Sequence, residues 1–246
     1  MQTKIKVIGT GSKGNAYLLY HNGDVILLDA GVSFKEIKKA MNYNLFDLRF
    51  GVVTHRHTDH MKSMKEMLDS GIVIISSDDV YRTVYMDDWE YMAWVQRVYD
   101  TRDWIVKSWE VDHDVPNQAY ILYNRKTERK IAYITDTSHV TKLPATVDTL
   151  ICEVSYCDEV IDAKQNDLAE RYLRLKRYHM SLARFKEMLL SMKQTDGYCL
   201  RHLVIVHLSN ENSNAKQIRE EVAEIIGFDP ILAENGMEIE VERWTN

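Results

Sequence analysis

The run Thr54-His55-Arg56-His57-Thr58-Asp59-His60 places three imidazoles and a carboxylate within six residues. The apolar, β-prone Phe50-Gly51-Val52-Val53 comes directly before it. Alternation along an extended strand sends His55 and His57 to the same side. A helix beginning just beyond turns Asp59 and His60 back towards that side. Such a group can hold two divalent metals a few ångströms apart, the spacing used by two-metal hydrolases. A surface loop rich in histidine by accident would have no matching partners elsewhere, and this chain has them.

Four apolar runs each end on a metal-capable or acid-base residue. Val25-Ile26-Leu27-Leu28 leads to Asp29, and Trp109-Glu110-Val111-Asp112 leads to His113. Ile131-Ala132-Tyr133-Ile134-Thr135 leads to Asp136, and Leu203-Val204-Ile205-Val206 leads to His207. Taken singly, each reads as a cap or a satisfied surface group. Together they deliver polar side chains to one rim of a sheet, where α/β folds place their sites.

The elements that must carry these residues are legible as patterns. Residues 4–8, 16–20 and 25–28 are β-type runs, and Asn22-Gly23 between the last two is a strong hairpin signal. Gly9-Thr10-Gly11-Ser12-Lys13-Gly14-Asn15 lacks the ending of a phosphate-binding P-loop and precedes a strand, so it reads as a tight turn. Helical patterns cover residues 33–42, 59–70, 167–177, 182–192 and 215–226. Further strands are expected at 72–76, 105–112, 118–124, 130–134, 150–154, 203–206 and 237–242. Strand-rich blocks in both halves, each with helices, imply an α/β chain with two sheets sandwiched between helix layers. Three prolines and ten glycines leave little room for a linker, so one domain over 1–246 is expected. Residues 78–110 are unusually aromatic. They read either as an amphipathic helix packed on a sheet or as a cap or dimer arm offering ring faces to a base.

A formal charge of −6 argues against a protein that coats long nucleic acid. Cys152, Cys157 and Cys199 form an odd set without CxxC spacing, as expected of reduced thiols in a cytoplasmic protein. The N-terminal Met-Gln-Thr-Lys-Ile-Lys enters a strand at once, so no secretory leader is expected. No apolar run approaches the length of a membrane span.

Asp29, the HxHxDH run, His113, Asp136 and His207 resemble, in order, the five motifs of the metallo-β-lactamase fold superfamily. Gly11-Ser12-Lys13-Gly14-Asn15, Tyr133-Ile134-Thr135-Asp136-Thr137 and His207-Leu208-Ser209 are most similar to its phosphodiesterase branch. That branch includes ribonuclease Z, YycJ-type exonucleases and phage anti-Pycsar cyclic-nucleotide phosphodiesterases. The resemblance implies an αββα four-layer sandwich. It implies a first metal held by His55, His57 and His113, and a second by Asp59, His60 and His207. Asp136 would bridge them, and Asp29 would orient a ligand imidazole. Zn²⁺ suits such donors and Mn²⁺ competes with it.

Glu153, in Ile151-Cys152-Glu153-Val154-Ser155, and His179, in Tyr178-His179-Met180-Ser181, resemble the ribonuclease Z pair that serves the scissile phosphate. His179 is then the proton donor to the leaving oxygen or a clamp on phosphate, with Glu153 holding its tautomer, while Asp59 orients the attacking water or takes its proton. The residue before this histidine in the family pattern is small, and Tyr178 departs from that. The residues alone also allow a buried Glu-His pair that steadies a helix start. His139 could reach the site or lie on the surface; His21 and His202 carry no role. Arg171, Arg174, Lys176 and Arg177 either help hold phosphate or form a solvated helix face.

No basic or Gly/Pro-rich arm for grasping tRNA is present. The resemblance and the compact acidic chain together imply a small nucleotide substrate, with cyclic mononucleotides first and a nuclease acting on DNA or RNA ends as the alternative. Many relatives dimerise, so a homodimer is expected, with residues 81–109 as interface or lid.

Overall fold

A computed structural model describes residues 3–85, 98–141, 143–163, 169–209 and 211–241. Elements are numbered along the chain. Two compact units emerge, the first formed by Met1–Arg97 with Ala233–Asn246 and the second by Val98–Leu232.

The first unit holds β1 (Thr3–Gly9), β2 (Ala16–His21), β3 (Asp24–Leu28), β4 (Leu48–Val52) and β5 (Ile74–Ile75), joined by the late strand β13 (Glu238–Val241). The sheet order is β13-β1-β2-β3-β4-β5, with β3, β4 and β5 parallel and the others antiparallel. His21 pairs with Asp24, so Asn22-Gly23 is a two-residue hairpin. Both central residues have positive φ, 54° and 87°, as its twist requires. Helices α1 (Phe34–Ala40), α3 (Met64–Asp69) and α4 (Asp78–Tyr85) contribute Phe34, Ile37, Met64, Met67 and Val80 to a core with Ala16, Leu18, Val25 and Leu27. Ser33 begins α1 with a complete capping box to Glu36.

The helix expected over 59–70 is two helices, α2 (Thr58–Met61) and α3. The break falls at Ser63, whose N–H donates to the Ala30 carbonyl at 2.9 Å instead of continuing the helical ladder. The strand expected over 72–76 is only the two residues of β5. Much of the aromatic stretch, including Trp89, Tyr91 and Trp94, lies outside the described residues.

The second unit holds β6 (Val98–Asp100), β7 (Trp104–Val111), β8 (Asn117–Asn124), β9 (Lys130–Ile134), β10 (Thr149–Glu153), β11 (His202–Val206) and β12 (Ile231–Leu232), in spatial order β12-β11-β10-β9-β8-β7-β6. β9 to β12 are parallel and β6 to β9 antiparallel. Every residue of β10 is buried, the mark of a parallel strand covered on both faces. Helices α5 (Asp158–Asp162), α6 (Ala169–Tyr178), α7 (Leu182–Lys193) and α8 (Ala215–Ile226) belong to this unit. Leu182, Phe185 and Leu189 of α7 and Ile218 and Val222 of α8 pack with Leu150, Cys152, Leu203 and Ile205. The chain is therefore α/β with a helix-covered sheet in each unit. Among the described residues no helix is long and apolar enough to cross a membrane. The three cysteines are free, and burial pushes each thiol above its ordinary pKa.

Candidate metal-binding clusters

In the first unit the HxHxDH run leaves the end of β4 and turns into α2. His55 and His60 are fully buried, and their ring centroids are 4.2 Å apart. His55 Nε2 lies 2.9 Å from His57 Nδ1. Asp59 Oδ2 lies 3.5 Å from His60 Nε2. Asp29, one residue past β3, is fully buried and accepts from His60 Nδ1 at 2.7 Å.

Thr54 connects the same carboxylate to a second imidazole. Its N–H and hydroxyl donate to Asp29 Oδ1 at 2.8 and 3.0 Å, and its hydroxyl oxygen lies 3.0 Å from His55 Nδ1. Protons on both Nδ1 atoms leave lone pairs on the Nε2 atoms, the state a metal ligand requires. Sequence reasoning gave no role to Thr54 or to Asn15, whose amide nitrogen is 3.1 Å from His60 Nε2. Thr54 adjoins the histidine run, which was the available signal.

In the second unit, Asp136 lies two residues past β9 and His207 one residue past β11. Asp136 Oδ2 is 4.0 Å from His113 Nε2, and Asp136 Oδ1 is 3.7 Å from His207 Nδ1. The Tyr178 carbonyl accepts from His113 Nδ1 at 3.3 Å, and Asp114 Oδ1 lies 3.1 Å from His113 Nε2. Asp29, Asp136 and His207 all have positive φ, 60°, 50° and 56°. Such conformations are strained for non-glycine residues and collect at functional sites.

Glu153 ends β10, fully buried, and its Oε1 accepts from His179 Nδ1 at 2.6 Å and His207 Nδ1 at 3.1 Å. His179 follows the end of α6, and Ser181 rather than the Glu-His pair caps α7. Burial opposes charge on His179, but the Glu153 carboxylate and its hydrogen bond outweigh burial and carry the pKa up to about 9. Burial would raise Glu153, yet the facing His179 holds it below the usual carboxylate range. Burial lowers the pKa of His113, against the opposing pull of Asp136 and Asp114. The His179 ring centroid is 5.5 Å from that of His113 and 5.6 Å from that of His207. Ligand-capable atoms of Asp136, Glu153, His179 and His207 all lie within 4.8 Å of one another.

Of the other charged candidates, Arg174 reaches these groups through Asp114, which lies against His113. His139 is exposed. Arg174 and Lys176 are paired with Asp114 and Asp162 at 2.7 and 2.8 Å. Imidazole nitrogens and carboxylate oxygens at these spacings suit divalent ions.

The family model of the Metallo-beta-lactamase superfamily matches residues 9–140. The chain is 23% identical to exodeoxyribonuclease YycJ of Bacillus anthracis, over 92% of this chain and 90% of that one. Among solved structures, the metallo-beta-lactamase fold protein YhfI from Bacillus subtilis matches with a TM-score of 0.70 at 15% identity, covering 98% of this chain and all of that one. The short form of human tRNase Z matches with a TM-score of 0.61 at 19% identity, covering 96% and 98%. The two structural likenesses speak to the fold alone. Motif, clusters and relatives define a metal-dependent hydrolase of ester bonds. This chain belongs to the metallo-beta-lactamase superfamily, and its likeness to exodeoxyribonuclease YycJ points to the phosphodiesterase branch.

Proposed function

We propose that this chain is a phosphodiesterase that opens cyclic mononucleotides to nucleoside monophosphates. In this reading His55, His57, Asp59, His60, His113, Asp136 and His207 hold two divalent ions, Zn²⁺ first and Mn²⁺ as competitor, and Asp29 orients His60. Bound divalent ions would supply positive charge against the phosphate oxygens and lower the pKa of water. Asp59 orients the attacking water or takes its proton. His179 delivers a proton from Nε2 to the departing ribose oxygen as the P–O bond breaks, and Glu153 fixes that proton-bearing ring through Nδ1. The observation that carries the reading is this pair. A hydrolase of thioesters or lactams has no need of a buried carboxylate holding a charged imidazole 2.6 Å away.

The small-substrate assignment is supported by the net charge of −6, which disfavours a polyanion. A nuclease acting on DNA or RNA ends is the second reading, favoured by the likeness to exodeoxyribonuclease YycJ. Cyclic CMP, UMP, AMP and GMP, assayed beside single-stranded DNA and RNA, separate the two. Exclusive degradation of polymers refutes the cyclic-nucleotide assignment. His60→Ala and Asp136→Ala should each abolish hydrolysis of bis-(p-nitrophenyl) phosphate. We also propose that the protein is a cytoplasmic homodimer with residues 81–109 as interface or lid; a mass measurement in solution tests the dimer.

A further inference from the structure

The last turn of α6 carries two side chains that the proposed reaction leaves unused. Arg177 is exposed, and its guanidinium lies over the Tyr178 ring, 5.1 Å from the centroid. Arg174 and Lys176 are neutralised by Asp114 and Asp162, whereas Arg177 has no carboxylate partner among the described residues. Leu173, one turn earlier on the same face, is 64% exposed. A guanidinium seated over a ring keeps its other planar face for a ligand, and here an apolar side chain stands beside it.

This turn is fixed against the second cluster. The Tyr178 carbonyl accepts from His113 Nδ1 at 3.3 Å, and the two rings meet edge to face with centroids 5.9 Å apart. Arg174, one turn back, pairs with Asp114, the residue after His113, at 2.7 Å. His179, the next residue along, is held by Glu153 at 2.6 Å. The Arg177–Tyr178 pair therefore adjoins the imidazole proposed to protonate the ribose oxygen. A ribose at that imidazole carries its base only a few ångströms further on.

We infer that Arg177 and Tyr178 form a stacking platform for the substrate's nucleobase, with the base laid on the outer face of the guanidinium and its edge against Leu173. Guanidinium planes and aromatic rings stack on every base, and the larger purine surface stacks more strongly. Lysine would supply the charge without the plane. The inference deepens the reading of the site as a nucleotide phosphodiesterase and rests on it. It makes the base, beyond the phosphate, a determinant of which esters are taken, with purine nucleotides favoured over pyrimidine ones.

The test titrates AMP, CMP and ribose 5-phosphate calorimetrically into the Zn²⁺-loaded full chain, which reads binding without turnover. AMP should bind roughly 5–100-fold more tightly than ribose 5-phosphate, with CMP between them. Arg177→Lys changes one exposed side chain and keeps its charge, and the ratio should fall towards one. Tyr178→Leu keeps the carbonyl on His113 but removes the ring under the guanidinium, and should lower the ratio too. A phosphate clamp or a purely structural residue would weaken all three ligands alike and leave the ratio as it was. That result overturns the inference, as does a wild type that binds AMP no more tightly than ribose 5-phosphate. Cyclic-nucleotide hydrolysis, measured in parallel, separates the two readings. A chain that hydrolyses none yet keeps an Arg177-dependent preference for AMP loses the cyclic-nucleotide reading and retains the platform. Hydrolysis without any preference for the base removes the platform alone.

Discussion

At the scale of single residues, the role proposed for His179 makes a prediction that depends on the leaving group. A ribose alkoxide departs poorly without a proton, whereas p-nitrophenolate is stable without one. His179→Ala should therefore slow cyclic-nucleotide hydrolysis by about 10²–10⁴-fold, the usual contribution of a positioned acid. Hydrolysis of bis-(p-nitrophenyl) phosphate should fall much less, by roughly tenfold or under. Steady-state kcat on both substrates checks this; equal losses would make His179 a phosphate clamp instead of an acid. Most candidate residues were legible because His55, His57, Asp59 and His60 fall in one six-residue run and Asp29, His113, Asp136, Glu153 and His207 end or follow apolar runs, whereas His179 follows a basic helix end and stood out only through the family resemblance. Asn15 and Thr54 were not, because their part lies in hydrogen bonds to residues distant in sequence, such as Thr54 to Asp29. The positive φ of Asp29, Asp136 and His207 was equally hidden, since aspartate and histidine adopt that conformation more often than most side chains but still only in a small minority of cases.

At the scale of elements, the turns and caps that follow β3 divide into those that shape the site and those that only stabilise a helix. Gly31 meets the Asp59 main chain so closely that a methyl group forces the β1–β2 turn and α2 apart. Gly31→Ala should cost about 1–3 kcal/mol or more, the range for overpacking a tight contact. It should also weaken metal binding, because Asn15 and Asp59 separate. Ser33→Ala removes only the α1 capping box and should cost about 1 kcal/mol with metal binding and turnover intact. Urea midpoints with zinc titrations on both variants check the contrast; equal effects on metal binding would remove Gly31 from any part in positioning. The hairpin, β9 and α8 were legible because Asn-Gly and unbroken apolar periodicity are local signals. The break between α2 and α3 was not, because the Ala30 carbonyl that holds Ser63 comes from a segment 33 residues earlier.

At the scale of the whole molecule, the proposed ligands run from His55 to His207, a separation an unfolded chain cannot gather around an ion. Metal should therefore bind the folded chain far better than the unfolded one and raise its stability by mass action. At one hundred times the dissociation constant each site adds about 2.7 kcal/mol, reduced by whatever the short His55–His60 run binds when unfolded. For a chain near this length, 1 kcal/mol moves the melting temperature by about 2–4 °C. Chelation should then lower it by roughly 5–10 °C per ion lost, abolish turnover, and be reversed by Zn²⁺ or Mn²⁺. His60→Ala should retain only part of the shift, because the other proposed position keeps its donors. Calorimetry on chelated and reloaded protein measures this, and identical melting temperatures would remove the metal reading, whatever the substrate is found to be.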